Sequence, residues 1–158
     1  MHLPVKMFPW AIFSTLLLSL VTPGKAATLN VDDHGVFLGG YDVVAYFTAH
    51  EATVGDLRFS TRHEGAIFHF ATQGHLDAFK AAPARYLPKF GGFCAFAVAN
   101  GKTTVKANPR TFKLRDGALY LFFDDLYEGK RFNTIVPWNE NEREFLSRAE
   151  ANWAPAQR

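Results

Sequence analysis

Cysteine is the sharpest deficit of this sequence: there is one, Cys94. A lone thiol closes no internal disulfide and supplies no multi-cysteine zinc or iron–sulfur site, so those classes drop out. Neither Gly-x-Gly-x-x-Gly nor the P-loop string occurs, and the glycines at 39–40, 91–92 and 101 form no phosphate cradle. Ser60 and Ser147 lack the Gly-x-Ser-x-Gly context of a nucleophile elbow. No internal repeat, low-complexity linker or Lys/Arg block of the kind that tracks a phosphate backbone is present, so nucleic acid is not an expected partner.

What is present is a chain of 158 residues, 48% hydrophobic and 20% charged, enough for one globular domain and too apolar for disorder. Residues 1–26 read as a secretory signal. Lys6 is the charged n-region, Phe8 to Val21 the apolar run, and Gly24 and Ala26 the small residues before a cut after Ala26. Fourteen helical residues reach only about 21 Å against a hydrocarbon core of about 30 Å, so a retained anchor is disfavoured and no membrane span is expected after cleavage. The signal accounts for two of the 17 basic residues and none of the 15 acidic ones, so residues 27–158 are formally neutral. The expected location is periplasmic or secreted, which puts Cys94 in an oxidising compartment.

The remaining chain reads as α+β, with two β-hairpins, a short central helix and a C-terminal amphipathic helix. In GGYDVVAYF, at 39–47, Val43, Val44 and Phe47 have the spacing of a short packed helix, with Asp42 placed to cap it. Phe59 to Phe70 predicts a hairpin about Glu64-Gly65, pairing Phe59 with Phe70, Thr61 with Phe68 and His63 with Ala66. His69 then faces away from His63. Thr72 is placed to cap a helix running to Lys80 or Ala81, with Leu76 and Phe79 packed inward and Pro83 past its end. His75 sits in the first turn, where the positive end of the helix favours a neutral ring, available as an acceptor or metal ligand.

Phe90 to Asn100 alternates small and large residues and predicts a strand with Cys94, Phe96 and Val98 on one face. A second hairpin is predicted about Asp116-Gly117, with Phe112, Leu114, Leu119, Leu121 and Phe123 on one face and Tyr120 and Phe122 on the outer one. Asp124 and Asp125 read as a solvated turn. Asn139 to Trp153 predicts a helix capped by Asn139, burying Phe145, Leu146, Ala149 and Trp153. With 16 Phe, 5 Tyr and 3 Trp, the aromatic load exceeds what a core this size needs, and Tyr120 and Phe122, on the outer face, would mark a docking patch for a partner or a small apolar ligand if both are exposed on one surface.

GYDVVAYF at 40–47, FSTRHEGAIFHFAT at 59–72, AAPARYLPKFGGFCAFAVANGK at 81–102, DGALYLFF at 116–123 and AEANW at 149–153 together resemble the exported, single-domain branch of the YHS domain family. The resemblance implies one YHS-type domain over 27–158, related to treble-clef metal-binding modules that occur beside copper-transporting pumps. Metal-binding members carry a Cys-x-x-x-Cys pair where this chain has Ala71 and His75, and alanine offers no donor atom. Cys94 in GGFCAF and Asp42 in GYD stand in this branch instead.

Three readings of Cys94 follow. It is a buried core residue, or a ligand with His75, and with Asp42 or Tyr41, of a soft metal such as copper, zinc needing further donors, or a reactive thiol, which lacks a resolving partner. No catalytic machinery is expected. Binding is the expected role, either of a thiophilic metal or, with Cys94 purely structural, of a protein partner or small ligand.

Overall fold

The computed structural model describes residues 28–156, and the predicted signal lies outside the described residues. The order is α1 (Ala45–Thr48), β1 (Asp56–His63), β2 (Ala66–Phe70), α2 (Gln73–Ala81), α3 (Pro83–Tyr86), α4 (Ala95–Ala99), β3 (Asn108–Arg115), β4 (Ala118–Phe122), β5 (Asp124–Tyr127), β6 (Lys130–Asn133), α5 (Ile135–Glu140) and α6 (Glu142–Ala156). The class is mixed α+β, with three separate antiparallel hairpins, one more than the sequence pattern predicts. No helix among the described residues is long and apolar enough to cross a membrane.

The first hairpin turns at Glu64-Gly65, where both residues adopt positive φ (47° and 84°), as a two-residue turn matched to strand twist requires. His63 pairs with Ala66 and Thr61 with Phe68 as expected, but Asp56 rather than Phe59 faces Phe70. A bulge between Asp56 and Ser60 causes the difference. The Asp56 carboxylate takes the Arg58 amide at 2.8 Å, and this local turn competes with the ladder. Ala66, Phe68 and Phe70 point inward onto Leu76 and Phe79 of α2, and Thr72 caps that helix by accepting the His75 amide at 3.1 Å. Pro83 does not merely follow the helix; it starts α3, as its fixed φ and missing N–H suit the first helical position.

β3–β4 turns at Asp116-Gly117 as predicted, and its faces are both covered. Leu119 and Leu121 enter the core of the first hairpin and α2, whereas Tyr120 and Phe122 enter a second core with Phe90, Val98 and Trp138. The expected outer-face patch at Tyr120 and Phe122 is thus overturned, since these residues are 6% and 0% exposed. An unbroken apolar run such as ALYLF marks a strand buried on both faces.

The predicted strand at 90–100 is likewise a misreading. Lys89–Gly92 form a 3-10 turn and Ala95–Ala99 a helix that buries Ala95, Val98 and Ala99 at i, i+3 and i+4. Alanine satisfies both periods, and its helix propensity decides. Gly91 sits at φ 59°, where a Cβ would lie 2.1 Å from the Thr28 carbonyl oxygen. Gly91→Ala should therefore lower stability by about 2 kcal/mol or more in a denaturant titration.

Asp124 and Asp125 form no solvated turn; they open the third hairpin, whose tip is Glu128-Gly129. The tail also differs from expectation. It is two helices broken at Asn141, whose carbonyl takes the Phe145 amide, while Asn139 accepts from Lys113 Nζ at 2.8 Å instead of capping. Pro137 lies in the first turn of α5, where its missing N–H costs no helical bond, and Asn141 leaves helical geometry (φ −146°, ψ 50°) between the two helices. Of the predicted stripe Ala149 is fully buried, and Phe145, Leu146 and Trp153 are partly so.

Candidate functional site

Two polar constellations draw on the residues singled out by sequence, and they are separate. Asp42 is fully buried. Its Oδ1 accepts the amides of Val44 at 2.8 Å and Ala45 at 3.3 Å, which caps the start of α1. Its Oδ2 accepts the Ala71 amide at 2.8 Å and His75 Nδ1 at 2.6 Å. The carboxylate thereby ties α1, the end of β2 and the first turn of α2 together. His75 Nε2 lies 3.3 Å from Thr48 Oγ1. Tyr41, though next in sequence, turns its hydroxyl to accept from Arg110 Nε at 3.0 Å.

Cys94 stands elsewhere, preceding α4 against β4. Its Sγ accepts the Ala97 amide at 3.4 Å and lies 3.3 Å from Thr134 Oγ1. The Thr134 hydroxyl donates to the Phe123 carbonyl at 2.9 Å, so the thiol hydrogen is the donor in the sulfur contact. Both side chains are thus partnered, and Cys94 is wholly enclosed. The hydrogen-bond partners of His75 (Asp42, Thr48, Thr72) and of Cys94 (Ala97, Thr134) share no residue. Among the described residues no group of three or more His, Cys, Asp and Glu side chains could hold a metal ion.

A cavity of about 300 Å³ opens between α4 and the third hairpin. Cys94 and Thr134 form its buried base, Phe96, Val105, Phe123 and Phe132 its walls, and Asn100 and Lys102 its exposed rim. The large exposed apolar side chains of this region, Leu126, Tyr127 and Phe132, belong to the third hairpin, which is where the surplus of aromatics surfaces. Sequence reasoning missed this wall. Its signal was Glu128-Gly129, the same dipeptide that marks the first hairpin turn.

Asp124 fastens the wall to the body. It accepts from Arg131 Nε at 2.9 Å and from Thr111 Oγ1 at 3.2 Å, and Arg131 followed by Thr111 holds its carboxyl below the usual carboxylate range. A carboxyl lowered on folding stabilises above its ordinary value, near 3.8, and loses that contribution as pH falls through its folded value. Below pH 3.8 the third hairpin should therefore exchange its amide hydrogens faster than β3–β4, and Asp124→Asn should remove that acid step. No known protein family, curated protein or solved structure matches the chain.

Proposed function

We propose that this chain is an exported, non-catalytic binding domain of the YHS type that takes a small apolar ligand in the cavity beside Cys94. The observation that carries the reading is the cavity itself: concave, walled by aromatic and aliphatic side chains, and based on two polar groups whose hydrogens are already donated, the thiol's to Thr134 and the hydroxyl's to the Phe123 carbonyl. Export rests on the N-terminal signal pattern, and the YHS relation on the motifs from GYDVVAYF to DGALYLFF.

Metal-binding members of the YHS family hold their metal at the positions that are Ala71 and His75 here, and the residues present do not fit one. Ala71 has no donor, and Asp42 Oδ2 already receives both the Ala71 amide and His75 Nδ1. With Val44 and Ala45 on Oδ1, the acceptor sites of the carboxylate, about four, are all used. A carboxylate thus provides the tie that the metal provides in metal-binding members.

Titration of the protein with an apolar fluorescent dye and, separately, with Cu(I) tests the reading. One equivalent of dye should bind, and Ala97→Phe, which fills the cavity, should weaken it by about tenfold or more. Stoichiometric Cu(I) binding that is lost in Cys94→Ala and His75→Ala would instead establish the metal reading. Binding of neither would contradict both.

A further inference from the structure

We propose that the ligand of the cavity beside Cys94 is a small monoanionic amphiphile, a carboxylate with an apolar body, whose charge rests on Lys102 at the rim. The inference depends on the cavity being a binding site and adds the chemistry of what enters it.

Every polar group at the base is spent. The Cys94 thiol donates to Thr134, which donates to the Phe123 carbonyl, and the Ala97 amide is directed at the sulfur. A polar group pushed to the base would be desolvated without a partner there. The deep part of a ligand must then be apolar. At the rim, Asn100 is also engaged: its amide nitrogen donates to the Phe96 carbonyl at 2.8 Å and its oxygen accepts from Arg148 at 2.9 Å.

Lys102 is different. It is the one charged residue lining the cavity, and its ammonium group has no ion-pair partner among the described residues. No carboxylate lines the cavity to oppose an anion, and the nearby acid Asp124 is taken up by Arg131. An apolar chamber with one unpaired cation at its mouth complements a single negative charge on an apolar body. The volume of about 300 Å³ is the liquid volume of about ten waters, so a medium-chain acid is of the right scale and a whole phospholipid is not.

Octanoate and octanol serve as probes of the full-length protein, alongside Lys102→Ala and Lys102→Glu, with the Ala97 and Phe132 amides as NMR reporters of location. Lys102 is exposed, so neither variant should disturb folding. Octanoate affinity should fall roughly two- to fivefold in Lys102→Ala and further in Lys102→Glu, while octanol affinity stays unchanged. Octanoate that binds the cavity equally well in all three proteins would overturn the charge assignment, as would octanol binding there without octanoate; the cavity reading would survive either result. If neither probe perturbs those amides at millimolar concentration, both readings fall.

Discussion

Asp42→Ala should lower the unfolding free energy by about 3–5 kcal/mol, the scale for removing one partner of a buried, hydrogen-bonded charged group. The substitution leaves the amides of Val44, Ala45 and Ala71 and the His75 ring without their shared acceptor. Asp42→Asn should recover part of the loss, since an amide oxygen replaces one acceptor while its NH2 group faces donors. Denaturant titration measures both variants. His75→Ala provides the comparison: it removes one of the four donors from a position 24% exposed, and should cost less than Asp42→Ala. Equal stability of Asp42→Ala and the parent would mean that the carboxylate is not the tie described here.

Trp138→Ala should cost a similar amount, about 3–5 kcal/mol, because a large buried side chain leaves a cavity that its neighbours fill only in part. Trp138 is 1% exposed and packs on Phe122 at 5.3 Å between ring centroids and on Phe145 at 6.0 Å. Its Nε1 also donates to Glu142, which pairs with Lys113 and Arg115 and so joins α6 to β3. The loss should fall first on the second core, and amide exchange should accelerate in α4 and α6 before it does in β1–β2. Since α4 forms one side of the cavity beside Cys94, dye binding should weaken in this variant while the Asp42 network keeps its protection. Uniform acceleration across α4, α6 and β1–β2 would mean that the two cores melt as a unit.

The elements legible in the sequence were those set by local chemistry. Glu64-Gly65 and Asp116-Gly117 announce two-residue turns, and Thr72 announces a helix start, because each requirement is met within a few residues. Where two periods fit equally, the reading failed: the alternation of Ala95 to Ala99 fits a strand, but also buries an i, i+3, i+4 helical face. Tyr120 and Phe122 were misplaced because alternation along β4 does not reveal that α5 and α6 return to cover the second face. Asp42 was legible as a cap, but its bond to His75 spans 33 positions and carries no spacing signal. The same holds for Cys94 and Thr134, 40 positions apart. The cavity arises from such long-range closure, so only its cysteine was visible beforehand.

The proposed function requires that a small apolar molecule occupy the space between α4 and the third hairpin. Amide shift mapping during titration with octanol tests this most directly. Saturable shifts at Ala97, Val105, Phe132 and Thr134, absent in Ala97→Phe, are the predicted result. No saturable change at these residues, or changes confined to Ala71 and His75 on addition of Cu(I), would contradict it.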